Sequence, residues 1–204
     1  LGFRVVGSLD ELLEEAQVVL LAVKPQDFRN MKVDFGGKLV VSIMAGVPLA
    51  DLPGRAVRVM PNLGAKVGKS VSSWVASDAV TDEDKDFVRE FLSDFGVEVE
   101  VRNDDEIDKM TALTGSGPAY VYVFMRALTE AGREFGFGED VLKKILPVLI
   151  EGSLEASSGD LEDMIAKVAS KGGTTEAALN VLGAEWGDKL KEAVRVAYDR
   201  AKEL

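Results

Sequence analysis

The chain has 204 residues, carries a net charge of −11 and contains neither Cys nor His. This composition excludes disulfides, thiolate chemistry and the commonest metal ligand and general base, so we expect no metal site. The sequence lacks the Lys/Arg cluster that is typical of nucleic-acid-binding proteins. No apolar run approaches the roughly 20 residues of a membrane span. We therefore expect a globular cytoplasmic protein that binds neither nucleic acid nor membrane.

The first half of the chain alternates predicted strands and helices. A capping-box pattern at Ser8 predicts a helix, and a second cap at Thr81 predicts a helix that runs to Phe95 and is stopped by Gly96. Continuous apolar runs are typical of parallel strands buried on both faces, whereas strict alternation indicates an edge strand. The predicted strands are 18–23, 39–43, 57–60, 71–76 and, at the edge, 97–101.

From residue 104 onward the patterns are all helical. The predicted helices are 105–113, 118–135, 140–157, 161–169, 174–182 and 185–202. The sequence therefore predicts an α/β fold with a Rossmann-like parallel sheet, incomplete at its N-terminus, followed by an all-α C-terminal domain. The predicted domain ranges are 1–103 and 104–204.

Three successive apolar strands end in residues suited to a ligand. Lys24-Pro25, Ala45-Gly46 and Asn62 follow the strands, and ligands of open parallel sheets bind at the carboxyl ends of strands. Lys24 could meet a phosphate, Gly46 lets the backbone approach a ligand, and Asn62 can orient a polar group. The alternative is that Pro and Gly only punctuate strand ends. Three such ends in succession favour a nucleotide crevice lined by Lys24, Ala45 and Gly46.

The glycine-rich fingerprint of a dinucleotide fold is not found. The G-x-G sequence Gly115-Ser116-Gly117 follows a predicted helix, and Tyr120 stands at the third glycine position. We expect that the chain begins after the usual phosphate loop. The segment from Thr114 to Tyr120 fits equally well a ligand contact and the cap of a long helix.

A second glycine-rich stretch, VASKGGTTEAAL at 168–179, lies between two helical patterns. Gly173 can cap the second helix with Glu176 at its third position, which explains one glycine and the glutamate. The stretch can equally form an anion site, because a helix start offers free N–H groups and Thr174 and Thr175 add hydroxyls.

Five motifs resemble the pyrroline-5-carboxylate reductase family in sequence and in order. They are Ala22-Val23-Lys24-Pro25, Ala45-Gly46-Val47, Arg58-Val59-Met60-Pro61-Asn62, Leu113-Thr114-Gly115-Ser116-Gly117-Pro118-Ala119-Tyr120 and Ser170-Lys171-Gly172-Gly173-Thr174-Thr175. The resemblance covers nearly the whole chain, without the first strand and the Gly-rich loop of the family.

The resemblance implies a hydride transfer from NADPH or NADH to the C=N bond of 1-pyrroline-5-carboxylate, which gives L-proline. Together, the resemblance and the strand-end pattern predict a cofactor site. Its residues are Ala22, Val23, Lys24, Pro25, Ala45, Gly46 and Asn62. It also implies a substrate site at Gly172, Gly173, Thr174 and Thr175, with Ser170 and Thr175 as catalytic residues. Thr175 is expected to face the ring nitrogen, and the N–H groups of residues 173–175 to hold the carboxylate.

Family members form homodimers through their C-terminal helices, and often larger rings. We expect the same here, with an apolar stripe of one helix and small residues of the last helix in the interface. The stripe is Leu142, Ile145, Leu146, Leu149, Ile150 and Leu154; the small apolar set is Ala193, Val194, Val196 and Ala197. Two alternatives stay open at the level of sequence: a reductase of a related cyclic imine, and a non-catalytic dimerisation module.

Overall fold

The computed structural model describes Gly2 and residues 4–204. The chain forms two compact units. One, the sheet unit, comprises the residues up to Pro118 together with Val194–Leu204, and the other, the helical unit, comprises Ala119–Ala193. The predicted ranges 1–103 and 104–204 do not coincide with these units and stay a prediction about domains.

The described part of the sheet unit contains five strands and four complete helices. The strands are β1 (Val18–Leu21), β2 (Leu39–Ser42), β3 (Ala56–Met60), β4 (Ser70–Ala76) and β5 (Gly96–Glu100). The helices are α1 (Leu9–Glu15), α2 (Pro25–Asn30), α3 (Asp82–Ser93) and α4 (Asp104–Met110). Short 3₁₀ turns span Leu49–Asp51 and Leu63–Val67.

The remaining helices lie in the helical unit. They are α5 (Gly117–Glu134), α6 (Glu139–Glu155), α7 (Leu161–Val168) and α8 (Thr174–Ala201). Two of them, α5 and α8, have residues in both units. Gly183 is non-helical, with φ 51° and ψ −167°, and divides α8 into two helical segments. This break agrees with the two helices predicted at 174–182 and 185–202.

The strands form one sheet in the order β1-β2-β3-β4-β5. β1, β2 and β3 are parallel, and β4 is parallel to β5. However, β3 and β4 run antiparallel. The Rossmann-like α/β class is confirmed, but the expectation of a wholly parallel sheet is wrong at this one pair. The reason is the short connection over residues 61–69, since a parallel crossover needs a dozen or more residues.

Two apolar layers cover the two faces of the sheet. One packs Val19, Val40 and Ala56 against α1, α2 and the loops that follow β2. The other packs alternate residues of the central strands beneath α3; its buried members are Leu39, Val41, Val57, Val59, Trp74, Val80, Val88 and Leu92. Every residue of β2 and β3 is buried, as predicted for central parallel strands.

The first strand departs from that expectation. Its burial alternates, and Leu20 is 48% exposed. Leu20 pairs with Val41 on the α3 face of the sheet, where the buried cluster is built from β2, β3, β4 and α3. The prediction that the 18–23 run is buried on both faces is therefore wrong for β1, because on this face Val18 packs only partly against the cluster and Leu20 is exposed.

Gly96 has a different role from the predicted one. α3 ends at Ser93, and Gly96 begins β5 with φ 147° instead of stopping the helix. A Cβ atom at Gly96 would lie 2.3 Å from the carbonyl oxygen of Ser70 on β4. The glycine is required because the two strand backbones approach closely there.

The predicted helix 105–113 and the helix after it are joined without a loop. α4 continues into a π turn, Thr111–Gly115, in which Ser116 N donates to the Thr111 carbonyl over 2.8 Å. α5 then begins at Gly117. The Gly115-Ser116-Gly117 segment is consequently part of a helical junction, and π turns of this kind are frequent at functional sites.

Candidate functional site

The carboxyl ends of β1, β2 and β3 lie at the same end of the sheet because these three strands are parallel. Lys24 follows β1, Gly46 follows β2, and Asn62 follows β3. Lys24 is exposed and precedes α2, whose first residue is Pro25. The sequence thus located the strand ends correctly, and the role of these residues in holding a cofactor stays a prediction.

The residues next to Lys24 and Gly46 are open to solvent. Ala22 and Ala45 are exposed, Val23 is 41% exposed, and Pro25 is half-buried. The α2 helix was missed at the sequence level because only six residues form it. Its signal was Pro25, which suits the first position of a helix.

Gly46 occupies a position where a larger residue does not fit. Its φ is 70°, and a Cβ atom there would lie 2.8 Å from the Cβ of Leu204. A cavity of about 260 Å³ adjoins it, with Arg29, Arg58 and Lys202 among its lining residues. The neighbour of Gly46 is the chain's own Leu204, and the predicted approach of a ligand to Gly46 stays a prediction.

Asn62 is engaged within the sheet unit. Its Oδ1 accepts from the amides of Gly64 at 3.0 Å and Val71 at 3.3 Å, and its Nδ2 donates to the Thr114 carbonyl at 3.0 Å. These bonds connect the end of β3 with the start of β4 and with the π turn. The amide that was predicted to orient a ligand is already occupied by main-chain groups.

Arg58 is a residue that sequence reasoning passed over. Its side chain lies on β3, is almost fully buried and donates to Asp104 at 2.6 Å and to Asp108 at 3.0 Å. Asp104 also accepts from the amide of Leu49. The cluster connects β3 with α4, and the signal was one arginine inside an apolar strand, which a buried position tolerates only when paired.

The predicted substrate loop lies in the helical unit between α7 and α8. Gly172 has φ 73°, and its N–H donates to the Glu176 carboxylate at 2.7 Å. The N–H of Gly173 donates to the Ser170 carbonyl at 2.9 Å. The predicted cap is therefore present in shifted form, because Glu176 accepts from Gly172 and not from Gly173.

Two amides at the start of α8 remain for a ligand. Among the described residues, the N–H groups of Thr174 and Thr175 have no hydrogen-bond acceptor, as expected for the first turn of a helix. Thr174 is exposed and Thr175 half-buried. The Gly173 N–H, which was expected to hold the carboxylate, is bonded to the Ser170 carbonyl, and its role toward a substrate stays a prediction.

The apolar stripe of α6 contains both buried and exposed residues. Leu142 and Leu146 are buried inside the helical unit, and a Cβ at Gly132 would lie 2.4 Å from Leu142 Cδ2. The interface role expected for these two leucines is therefore wrong. In contrast, large apolar side chains elsewhere on α6 are exposed in the single chain: Val141, Ile145, Val148, Leu149 and Leu154.

Further apolar surface lies between α5 and α8 in the helical unit. An open groove of about 340 Å³ has Tyr120, Phe124, Trp186 and Leu190 in its walls. The rings of Phe124 and Trp186 meet edge to face at 6.4 Å. Of the predicted small set, Ala193 and Val196 are exposed, and Val194 and Ala197 are half-buried.

Neither a metal cluster nor a membrane span is found over Gly2 and residues 4–204. In that range no group of three or more acidic residues is placed to hold a metal ion, and no helix is long and apolar enough to cross a membrane.

Comparison with known proteins gives one consistent result. The family model described as pyrroline-5-carboxylate reductase dimerisation matches residues 104–204. The pyrroline-5-carboxylate reductase of Staphylococcus saprophyticus is 34% identical over 212 residues, which cover 96% of this chain and 77% of that protein. The Pseudomonas aeruginosa enzyme of the same name is 33% identical, with 98% and 79% covered.

Solved structures agree with the sequence matches. The pyrroline carboxylate reductase of Plasmodium falciparum, with NADP bound, matches with a TM-score of 0.88 and 27% identity over 97% of this chain and 80% of that one. The 1-pyrroline-5-carboxylate reductase of Streptococcus pyogenes matches with a TM-score of 0.86 and 30% identity, covering 95% and 79%.

Proposed function

This chain belongs to the pyrroline-5-carboxylate reductase family, and we propose from that premise that it reduces the C=N bond of 1-pyrroline-5-carboxylate to give L-proline. The observation that carries the proposal is the match of nearly the whole chain to enzymes of that name, at 34% identity to one of them. The electron donor is NADPH or NADH, and NADP is bound in one of the matching structures.

The residues at the carboxyl ends of β1 and β2 suit a nicotinamide dinucleotide. Ala22, Val23 and Lys24 are exposed, and the Lys24 ammonium group can pair with a phosphate. Gly46 has no side chain, so a ligand can approach its main chain closely. When bound, the cofactor supplies the hydride, so the chain itself must provide binding, orientation and electrostatics. Residues 1–204 contain no G-x-G-x-x-G sequence, so we assign to them the strand-end contacts only.

The start of α8 suits the substrate carboxylate. The N–H groups of Thr174 and Thr175 point out of the first helical turn, where the helix dipole favours an anion. The Thr175 hydroxyl can then donate to, or accept from, the ring nitrogen. Because a protonated imine accepts hydride readily, this site needs no histidine, and a hydroxyl or water can deliver the proton.

The exposed apolar residues of the helical unit support self-association. Ile145, Val148 and Leu149 on α6 present apolar surface of the kind that soluble single chains rarely leave uncovered. We assign this surface to a homodimer, which members of the family assemble into larger rings. We assign the reaction to the cytoplasm, in line with the absence of a membrane-spanning helix from the described residues.

An assay of the full-length protein tests the proposal directly. We expect consumption of NADPH or NADH with 1-pyrroline-5-carboxylate, with proline as the product identified by mass spectrometry. The six-membered homologue, 1-piperideine-6-carboxylate, is the matched competitor, and we expect a lower kcat/KM for it. Preference for the larger ring would replace the substrate assignment, and inactivity with both imines would indicate a non-catalytic dimerisation module.

A further inference from the structure

The segment from Tyr198 to Leu204, here named the strap, contacts two elements of its own sheet unit. At its start, the half-buried Tyr198 donates its hydroxyl to the Asp105 carboxylate on α4, and the Lys109 ammonium lies 5.9 Å from the centre of the Tyr198 ring. At its end, Leu204 contacts Gly46 in the loop that follows β2. The strap therefore has an anchor on α4 and a second contact at the predicted cofactor edge of the sheet.

The contact at Gly46 fills the space that a side chain would occupy there. A Cβ atom at Gly46 would lie 2.8 Å from the Leu204 Cβ and 2.9 Å from the Leu204 carbonyl carbon. The strap also contributes Ala201, Lys202 and Leu204 to the wall of the cavity of about 260 Å³ beside Gly46. A ligand that uses the missing side chain of Gly46 to approach the main chain would therefore meet Leu204.

The end of the strap is less firmly bonded than its start. Leu204 is 57% exposed, and α8 ends at Ala201, so residues 202–204 lie beyond the helix. Among the described residues, the hydrogen bonds of residues 202–204 run only to Tyr198 and Arg200, within the strap itself. A segment with so few bonds to its surroundings opens at low cost, so its end can leave Gly46 while Tyr198 stays on α4.

We propose that the strap is an autoinhibitory segment, which covers Gly46 in the free protein and is displaced from it when NADPH or NADH binds. This inference rests on the proposed reductase function, because it takes the cofactor to approach Gly46. All the groups involved belong to the sheet unit. Cofactor binding then includes the cost of moving Leu204, so the apparent Kd is raised by the fraction of molecules in which Gly46 is covered.

Two variants weaken the strap at different points. Deletion of residues 202–204 removes the contact with Gly46, and it leaves the net charge unchanged because it removes one lysine and one glutamate. Tyr198→Phe keeps the aromatic ring and removes the hydroxyl that bonds to Asp105. The matched control for the second variant is Tyr122→Phe, because Tyr122 is 55% exposed and lies in the helical unit.

The first measurement is the Kd of NADPH for the full-length protein, by fluorescence titration without substrate, together with the Tm of each variant. We expect the deletion to tighten the NADPH Kd by about three- to tenfold, because the cofactor no longer has to displace a competitor. Tyr198→Phe should change the Kd in the same direction by a smaller factor. The Tyr122→Phe control should match the wild type.

The second measurement follows the strap itself in the otherwise intact protein. Residues 1–204 contain no cysteine, so Glu203→Cys gives one attachment point within them for a nitroxide spin label. The wild type treated with the same reagent is the control for labelling elsewhere. We expect the label to become more mobile, by electron paramagnetic resonance, when NADPH saturates the protein.

Two results would overturn the inference. One is an unchanged or weakened NADPH Kd in the folded deletion variant, since removal of a competitor cannot weaken binding. The other is a label whose mobility stays the same or falls on NADPH binding, and this result decides even where neither variant folds. A protein that binds neither NADPH nor NADH, with or without residues 202–204, would instead refute the proposed function, so the two failures are distinguishable.

Discussion

At Thr175, a side-chain hydroxyl and a main-chain amide with no acceptor among the described residues occur together at the start of a helix. The preceding glycines differ from it, since the Gly172 N–H is bonded to Glu176 and the Gly173 N–H to Ser170. These two bonds stabilise the loop, and among the described residues they leave the N–H groups of Thr174 and Thr175 without an acceptor. The proposed carboxylate site would account for the two threonines beside the two glycines.

Replacing Thr175 with Ala should therefore reduce catalysis more than stability. If the hydroxyl bonds the ring nitrogen in the transition state, we expect a loss of roughly 1–3 kcal/mol, or about tenfold to a hundredfold in kcat/KM. Steady-state kinetics and thermal melting on the full-length variant provide the measurement. Thr129→Ala is the matched control, because the Thr129 hydroxyl bonds only to the Met125 carbonyl of its own helix among the described residues.

The opposite pattern would assign Thr175 to the fold. An unchanged kcat/KM together with a stability loss of about 1 kcal/mol is what a helix cap would give. In that event the 168–179 stretch would be a capped break between α7 and α8.

Among the elements, α3 shows most clearly how a cap and an ion pair can share one side chain. Thr81 and Asp84 form a reciprocal capping box, with Asp84 Oδ2 accepting from Thr81 N at 3.0 Å. Arg55 donates to both oxygens of the same carboxylate, at 2.7 and 2.9 Å. The hydrogen bonds from Arg55 are the main reason why the pKa of Asp84 lies below its ordinary value of 3.8.

This lowered pKa makes the contribution of Asp84 to stability dependent on pH. A carboxyl with a lower pKa in the folded than in the unfolded state stabilises the fold fully above its ordinary pKa, and the contribution is lost as the pH falls through the folded value. We expect Asp84→Asn to cost roughly 1–3 kcal/mol at pH 7 and progressively less below about pH 4. Chemical unfolding from pH 7 to pH 3 measures it.

Asp82→Asn is the control for this series, since Asp82 lies in the same first turn but is exposed. Its effect should stay below about 1 kcal/mol. A constant difference between Asp84→Asn and the wild type across the whole pH range would contradict the ion-pair explanation.

The elements that sequence predicted best are those whose signal is local. The Ser8 and Thr81 caps, the central strands and most helix limits depend on residues within a few positions of each other. The antiparallel direction of β4 depends instead on its pairing with β3, and the role of Gly96 depends on the close approach of the β4 backbone. No periodicity within 70–76 or 93–97 records that neighbour, so those features became visible only in the folded chain.

The elements around the candidate site were predictable from sequence, but the hydrogen bonds were not. The sequence placed Lys24 and Gly46 after the correct strands and Thr175 at the start of a helix, and the binding roles of these residues stay predictions. Sequence could not show that Asn62 is bonded to Thr114, since 52 positions separate them. Nor could it divide Leu142 and Leu146 from Leu149, because all of them satisfy the same helical spacing.

For the whole molecule, the exposed apolar surface of the helical unit leads to a prediction about assembly. Leu149 is 54% exposed on α6, and a carboxylate there would have to be desolvated in a dimer. We expect Leu149→Asp to shift the protein from dimer, or larger assembly, toward monomer by light scattering at micromolar concentration. Val67→Asp is the matched control, since Val67 is 73% exposed in the sheet unit.

Two outcomes of that experiment would contradict the assembly assigned to the helical unit. One is a wild-type protein that is monomeric at micromolar concentration. The other is equal loss of assembly in the two variants, which would place the interface outside α6 or make it insensitive to a buried charge.

Residues Val194–Leu204 belong to the sheet unit although they follow the whole helical unit in sequence. Tyr198 donates to Asp105 on α4, Lys109 and Lys202 lie over the Tyr198 ring at 5.9 and 4.7 Å, and Leu204 abuts Gly46. During synthesis on the ribosome, the strands emerge early but cannot acquire these contacts until translation reaches residues 194–204. A nascent chain thus carries an unfinished sheet unit throughout production of the helices, and these contacts form only after residues 194–204 have been synthesised.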